Sequence, residues 1–239
     1  MLKRAPCGFL RPLVRRVLAI VLVGGAAWLV AEWALWPDVP ALLRENPAQT
    51  AFMHQYEERE GSSSLATWVP YQEIAGTLKR AVLVAEDIDF FSHRGFAVSE
   101  LKQALSDALE RGTFPRGAST ITQQLAKNLW LSSARTPRRK VREALLTRAL
   151  EQQLSKRRIF EIYLNVVEFG DGTFGCEAAS QHFFGRSAAR LTSHQAARLA
   201  AVLPRPSSWA VDGEDGAFLA SVGRIEQRMR RARWLEQVI

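Results

Sequence analysis

The chain has 239 residues, of which 47% are hydrophobic and 23% are charged, so it is long enough and apolar enough to bury a core. This composition excludes a disordered chain. The net charge is +8, but five of the 32 basic side chains lie within residues 1–16, which contain no acidic residue. The excess of basic residues is therefore partly a signal of membrane topology. No RNA- or DNA-binding motif accompanies it, so no nucleic acid partner is expected.

Residues 17–36 are apolar apart from Glu32. The segment has the length of about 20 residues that a helix needs to cross a bilayer. Its C-terminal half carries tryptophans of the kind that lie at a membrane interface, namely Trp28, Trp33 and Trp36. The basic residues precede the segment, which predicts a cytoplasmic tail over 1–16 and an exported chain after it.

A cleaved signal peptide is the alternative for this segment. The apolar run is long for that purpose, and no small-residue cleavage site precedes Pro37. We therefore expect an uncleaved, single-pass anchor in the inner membrane with a periplasmic domain. Cys7 and Cys176 then lie in different compartments and cannot pair, so the exported domain depends on its core alone.

Residues 37–66 form a mixed stretch that we interpret as a juxtamembrane linker and entry into the lobe. Its part from Glu57 to Ser64 has the composition of a solvated loop. Apolar side chains such as Phe52 and Met53 are candidates for contact with the bilayer. The compact domain is expected over 67–239, opening near Trp68.

The pattern of this domain is mainly helical. A helix is predicted after the cap residue Ser99, and another after Pro137, where Val141, Leu145 and Ala149 recur at helical spacing. Strand patterns are scarce and short, as at Val166–Val167. We expect two lobes joined by loops over 112–117 and 170–175.

Two further helix starts carry capping residues. Ser155 precedes a helix that contains Ile159 and Tyr163. Thr192 and Gln195 match a capping box before a helix that Pro204 ends.

The most informative segment is Gly117–Asn128, which reads GASTITQQLAKN. It combines a glycine turn, hydroxyl and carboxamide side chains, and one lysine within an apolar helical stripe. A helix start with free N–H groups suits a bound anion such as a phosphate. A plain N-capped surface helix is the simpler interpretation of this segment taken alone.

Five blocks of the chain, taken together, resemble the peptidoglycan glycosyltransferase family in order and spacing. They cover about residues 68–210, and the single domain with an anchor is similar to the monofunctional members rather than the bifunctional penicillin-binding proteins. The blocks are Glu86-Asp87-x-x-Phe90-x-x-His93-x-Gly95, the segment 117–128, Arg139-Lys140-x-x-Glu143, Lys156-x-x-Ile159-x-Glu161-x-Tyr163-Leu164-Asn165, and Gly172-x-x-Gly175-x-x-Ala178-Ala179-x-x-x-Phe183-x-Gly185.

The resemblance implies a mainly α, lysozyme-like, two-lobed domain that polymerises lipid II into glycan strands. It implies that Glu86 is the general base for the 4-hydroxyl of the acceptor N-acetylglucosamine, and that undecaprenyl diphosphate leaves with inversion. The residues agree with this role, because Glu86 follows an apolar run that would desolvate its carboxylate. Asp87 is expected to orient its neighbours.

A diphosphate leaving group needs positive charge where negative charge develops. Residues 135–158 are densely basic. By motif position, Glu143 is similar to the family's second essential carboxylate. The residues expected to bind substrate or diphosphate are Ser119, Gln123, Gln124, Lys127, Arg135, Arg139 and Lys140. A divalent cation, Mg or Mn, is expected to assist there, with no organic cofactor. Part of the stretch, Arg157 and Arg158 especially, could instead be a solvated face or attract anionic lipids.

The remaining motif residues are expected to support the site. His93 has no second ligand at metal spacing, so a hydrogen bond that fixes the Glu86 loop is expected instead. The fourth block is expected to be mainly structural, and Glu161 and Tyr163 cannot both face the cleft. The supporting set is Asp87, Phe90, His93, Gly95, Asn128, Lys156, Glu161, Tyr163 and Asn165.

Two other functions stay open on the sequence: a lysozyme-like enzyme that cleaves glycan, and a non-catalytic scaffold for cell-wall assembly. The basic stretch favours the polymerase, because an enzyme that cuts glycan has no diphosphate to bind. Ser99-x-x-Lys102 matches a transpeptidase motif, but no Lys-Thr-Gly accompanies it and the chain is too short for that domain. Lipid II, the nascent glycan, membrane lipids and other cell-wall proteins are the expected partners.

Overall fold

The computed structural model describes residues 36–61, 67–96, 119–134, 136–170 and 172–239, together with 15, 16, 18–20, 23–25, 27, 30 and 34. The chain divides into two compact units, Met1–Asp38 and Val39–Ile239. The described positions of the first unit from 15 to 34 are helical. Among the described residues no helix is both long and apolar enough to span a bilayer. The predicted anchor therefore stays a prediction.

Some predicted features lie outside the described residues. They are the helix predicted after Ser99, the Ser99-x-x-Lys102 motif, the loop 112–117, the glycine turn at Gly117, and Arg135.

The second unit is mainly helical, as predicted. Extended pairing in its described part is limited to one antiparallel bridge between Glu168 and Phe174. The Val166–Val167 strand is wrong, because Val166 is the last residue of a helix. Short 3-10 helices lie at Pro40–Leu43, Tyr71–Glu73, Ala188–Arg190 and Arg233–Gln237. The α-helices, numbered here in chain order, are α1 (Ala51–Glu60), α2 (Gly76–Glu86), α3 (Ile121–Trp130), α4 (Pro137–Gln153), α5 (Lys156–Val166), α6 (Cys176–Phe184), α7 (Ser193–Val202) and α8 (Gly216–Arg231).

Side-chain caps define several helix starts. Thr120 and Gln123 form a capping box at α3, and Thr192 and Gln195 form the predicted one at α7. The Ser155 hydroxyl accepts the Arg158 N–H at the start of α5, which confirms that cap as well. Each cap satisfies a backbone donor that the helix itself leaves unpaired.

The core joins two groups of helices. Helix α2 packs against α7 and α8, and α3 packs against α4 and α5. The catalytic carboxylate predicted at the end of α2 and the cations predicted on α3 and α4 therefore come from different packing groups. Phe90, Phe160 and Tyr163 are among the largest fully buried side chains of the core.

The helix predicted after Pro137 is confirmed as α4, but its apolar stripe is not its buried face. Val141 and Leu145 are 53% and 50% exposed. The buried side chains of α4 include Glu143, Leu146 and Leu150. Helical spacing identified the helix, and packing against α3 buried a neighbouring face of it.

The stretch 37–66 differs from the expected linker. Val39 to Gly61 lies within the second compact unit, so the boundary expected at residue 67 falls inside it. Glu57–Glu60 belongs to α1 and is not a loop. Met53 is 5% exposed and joins the core, so its side chain is not free for the bilayer, and Phe52 is half-buried against the same core.

Asn165 fastens the entry of the polypeptide at Val69 to α5. Its Oδ1 accepts the Val69 N–H at 2.8 Å, and its Nδ2 donates to the Val69 carbonyl at 2.9 Å. Nδ2 also donates to the Glu161 carbonyl at 2.9 Å. The structural role predicted for Asn165 is confirmed.

Replacing Asn165 with Ala should destabilise the protein by about 1–3 kcal/mol for each buried backbone group of Val69 left unpaired. The exposed Gln181→Ala, which loses only a surface contact with Glu177, should stay within about 0.5 kcal/mol of wild type. Chemical denaturation of both variants measures the difference. Equal unfolding midpoints for the two variants would show that the hydrogen bonds of Asn165 do not stabilise the fold.

Candidate active site

Glu86 is the last residue of α2 and follows the fully buried residues Ala81 to Val84. Its Oε2 accepts the Gln124 amide at 2.6 Å. Burial raises the pKa of Glu86, while the Gln124 hydrogen bond and the Lys127 charge act in the opposite direction. Glu86 is therefore a carboxylate made more basic by its surroundings yet held by a single neutral donor.

Asp87 occupies the N-terminus of α3. Its side chain is buried, and its Oδ2 accepts the Ile121 N–H at 3.0 Å. The anion at this helix start is therefore the protein's own carboxylate, and the phosphate suggested by the sequence does not occupy this end of α3. The orienting role predicted for Asp87 is confirmed, because it ties α2 to α3.

His93 and Gly95 complete this junction. His93 Nε2 lies 2.9 and 3.0 Å from the two Asp87 oxygens. The Gly95 N–H donates to His93 Nδ1 at 3.1 Å, which assigns the proton to Nε2. The Gly95 carbonyl accepts the Thr120 hydroxyl at 2.7 Å. The predicted hydrogen-bonding role of His93 is confirmed, and the loop after Glu86 is fastened to α3.

Phe90 supports the same loop from within the core. It is fully buried, and its ring packs 5.5 Å from that of Phe160 on α5. The Lys156 ammonium lies 4.3 Å from the Phe90 ring centroid and is paired with Glu151 at 2.7 Å.

Lys127 lies one helical turn beyond Gln124 on α3, which places both side chains toward Glu86. Burial lowers the pKa of Lys127, and the charges of Glu143 and Glu86 oppose this shift. Lys127 is thus within electrostatic reach of both predicted catalytic carboxylates. Its ammonium also lies 5.1 Å from the ring of Phe52, which partly covers it.

The other polar residues of this segment are placed differently. The Ser119 carbonyl accepts a second hydrogen bond from Gln124 Nε2 at 3.3 Å. Gln123 is buried, and its Oε1 accepts the Thr120 N–H within the capping box. Asn128 is buried on α3. The structure therefore brings Gln124 to Glu86, and not Gln123.

Glu143 lies on the buried face of α4 between two cations. Arg139 Nη1 lies 2.7 Å from its Oε2, and Lys140 Nζ contacts its Oε1. The Glu143 side chain is 4% exposed and that of Lys140 is 53% exposed. Two basic side chains contact this buried carboxylate and Lys127 is within its electrostatic reach, which leaves an excess of positive charge for an anionic ligand.

The side chains of the fourth block, Lys156 to Asn165, point to two different sides of α5. Glu161 accepts from Trp68 Nε1 at 3.1 Å and from Arg158 at 2.9 Å, so its structural role is confirmed. Tyr163 points the other way and donates to Gln124 Oε1 at 2.9 Å. The expectation that Glu161 and Tyr163 do not face the same side is correct. Arg158 is not a solvated residue, because it also donates to the Leu42 carbonyl.

A small cavity of about 130 Å³ adjoins Glu86 on the side of α7 and α8. Its lining includes Pro204, Ser221, Arg224 and Arg228. None of these four residues was predicted from the sequence as a site residue. The spacing of Arg224 and Arg228, four positions apart on α8, was the available signal, but the two arginines carry no motif that distinguishes them from a solvated face.

The described residues contain no group of three or more His, Cys, Asp or Glu side chains that could hold a metal ion. Both oxygens of Glu143 are already engaged by cations. These residues do not form a protein cage for a divalent ion.

A desolvated carboxylate beside a basic cluster is an arrangement that suits a class of enzyme able to remove a proton and to neutralise an anionic group. Comparison with known proteins agrees with this class. The sequence model of the family described as Transglycosylase matches residues 51–232.

Several curated relatives carry the name biosynthetic peptidoglycan transglycosylase. The protein from Laribacter hongkongensis is 41% identical over 225 residues, covering 92% of this chain and 97% of the relative. The Methylobacillus flagellatus protein is 42% identical, covering 90% and 94%, and that of Ralstonia nicotianae is 52% identical, covering 67% and 71%. The chain belongs to the transglycosylase family.

Gly95 has φ +84°, and a Cβ atom there would meet Thr147 Cγ2 at 2.8 Å and Glu151 Cγ at 2.9 Å. Gly95→Ala should therefore lower the unfolding temperature and disturb the loop that holds Glu86. Gly185 has φ +60° with open space around it. Gly185→Ala should lose only the cost of a left-handed backbone, about 1–2 kcal/mol. If a thermal scan showed a smaller drop in unfolding temperature for Gly95→Ala than for Gly185→Ala, the crowding at Gly95 would be contradicted.

Proposed function

We propose that this peptidoglycan glycosyltransferase transfers a growing lipid-linked glycan chain onto the 4-hydroxyl of the N-acetylglucosamine of lipid II. The anomeric carbon is inverted and undecaprenyl diphosphate is released. The observation that carries the proposal is the position of Lys127, within electrostatic reach of a desolvated carboxylate on one side and of Glu143 with its two cations on the other.

Glu86 acts as the general base in this proposal. Its raised pKa increases its tendency to take the hydroxyl proton while its Gln124 hydrogen bond keeps one oxygen oriented. The acceptor oxygen then forms a bond to the anomeric carbon as the bond to the diphosphate oxygen breaks. Both electrons of the broken bond leave with the diphosphate.

The leaving diphosphate gains negative charge in this step. Lys127, Arg139 and Lys140 supply compensating positive charge, and Glu143 holds two of them in fixed positions. Arg135 is proposed as a further ligand on its motif position alone.

A divalent cation remains part of the proposal only as a companion of the diphosphate. Phosphate oxygens are ligands that Mg²⁺ commonly uses together with few protein groups. Because the described residues form no cage of their own, we derive no step through the ion.

We further propose that residues 17–36 anchor the enzyme in the inner membrane, with residues 1–16 cytoplasmic and a two-lobed, lysozyme-like domain in the periplasm. The run of apolar residues and the basic residues before it support this topology. An anchored enzyme stays beside its membrane-embedded substrate. Membrane lipids and other cell-wall proteins are proposed as partners on the same grounds.

Glu86→Gln should reduce glycan synthesis from lipid II by about 10²–10⁴-fold, because the amide cannot accept the hydroxyl proton. The matched control is Glu214→Gln, whose carboxylate is 78% exposed and should leave the rate unchanged. Released undecaprenyl diphosphate and strand length are measured together. Undiminished turnover in Glu86→Gln would remove the assigned base, and cleavage of preformed glycan without lipid II would favour a lytic enzyme.

The rate of glycan synthesis should show a bell-shaped dependence on pH. Glu86 works deprotonated, so activity is lost as the pH falls through a pKa that burial raises above 4.5. Lys127 works protonated, so activity is lost as the pH rises through a pKa that burial lowers below 10.5. Lys127→Arg should move the alkaline limb upward, since a guanidinium keeps its charge. An alkaline limb that stays in place would assign it to another group.

A further inference from the structure

We infer that Tyr163 is a positioning residue for the base Glu86 and acts through the side-chain amide of Gln124. The inference rests on the proposed function for its activity measurements. It gives Tyr163 a role in the proposed reaction, whereas the motif by itself predicts only a structural role for the fourth block.

The three side chains form one chain of hydrogen bonds across two packing groups. The Tyr163 hydroxyl donates to Gln124 Oε1 at 2.9 Å, and Gln124 Nε2 donates to Glu86 Oε2 at 2.6 Å. They come from α5, α3 and α2 in that order. The phenol is fully buried, so water does not replace its hydroxyl.

The orientation of the Gln124 amide is the property that this chain of bonds controls. A carboxamide is nearly symmetric in shape but has a donor end and an acceptor end. The donor end of Gln124 faces two acceptors, Glu86 Oε2 and the Ser119 carbonyl. Tyr163 satisfies the opposite, acceptor end. Without that hydroxyl the amide oxygen would be buried and unpaired, and the geometry toward Glu86 would loosen.

Tyr163 is suited to remain a donor. Burial, together with the negative charges of Glu86 and Asp87, raises the pKa of Tyr163 well above 10.0, so its hydroxyl keeps its proton at working pH. The hydrogen bond that Gln124 makes with Glu86 stabilises the charged carboxylate. Loss of the Tyr163 hydroxyl should therefore make Glu86 harder to ionise.

Other charged groups also act on Glu86 and remain in place in such a variant. Lys127 on α3 favours its ionised form, and the adjacent Asp87 opposes it. Arg224 and Arg228 on α8 line the cavity beside it. A change caused by Tyr163 must therefore be read as a shift relative to wild type under identical salt conditions.

The test is the pH dependence of kcat and KM for lipid II in full-length Tyr163→Phe. The acid limb should move to higher pH. At a pH below the acid limbs of both wild type and variant, kcat of the variant should be about three- to tenfold lower, as expected for a pKa change of half to one unit. KM should change little, because the Tyr163 side chain is fully buried. The control is Tyr71→Phe, which removes another buried hydroxyl, one without a hydrogen-bond partner among the described residues, and should leave the acid limb in place.

A second comparison separates positioning from general loosening of the core. In a Gln124→Met background, which removes the amide and shifts the limb itself, adding Tyr163→Phe should cause no further shift. Additive shifts would overturn the inference, as would coincident acid limbs for Tyr163→Phe and wild type. If Tyr163→Phe fails to fold, Gln124→Met alone must still shift the limb.

A readout that does not need turnover keeps the inference separate from the proposed function. Carboxyl NMR titration of Glu86, assigned with Glu86→Gln, should show a higher midpoint in Tyr163→Phe than in wild type. If wild type makes no glycan from lipid II but the midpoint shifts, the proposed function fails and the positioning stands. An unchanged midpoint rejects the positioning whatever the activity.

Discussion

The carboxylate of Asp87 is the interaction on which the site depends. It receives the first N–H of α3 and the His93 ring, and His93 in turn receives the Gly95 N–H. A buried carboxylate is tolerated only when such donors surround it, and the positive end of a helix adds to them. By meeting these needs, Asp87 joins the end of α2 to the start of α3. Glu86, its neighbour in the chain, is thereby held opposite Gln124.

The two carboxylates of the proposed mechanism have contrasting surroundings. Glu86 adjoins apolar core and one neutral amide, and burial makes it a stronger base. Glu143 is buried between Arg139 and Lys140, where it orders positive charge. Lys127 interacts with both carboxylates. In the proposed reaction, Lys127 therefore links proton removal at Glu86 to charge neutralisation beside Glu143, which suits a step that forms one bond as an anionic group leaves.

Much of the site could be predicted, because the motif blocks keep residue types at fixed spacing. Asp87, His93, Glu161 and Asn165 perform the orienting and structural roles expected of them. Predictions from the sequence were wrong where two side chains or two helix faces were equally suited to burial and only tertiary packing distinguished them. The apolar stripe of α4 is exposed although the helix exists, and Met53 lies in the core. Of two adjacent glutamines, Gln123 completes a cap and Gln124 reaches the base.

The sequence by itself determined the helical class, the capped helix starts and the family, and it supplied both carboxylates of the proposed mechanism. These depend on nearby residues or on motifs in order along the chain. Only the tertiary structure decided that Asp87 occupies the helix start where a phosphate was suggested, and that Tyr163 reaches Glu86 through Gln124. Burial and hydrogen-bond direction arise from contacts between α2, α3 and α5, whose side chains lie tens of residues apart and meet only when the core forms.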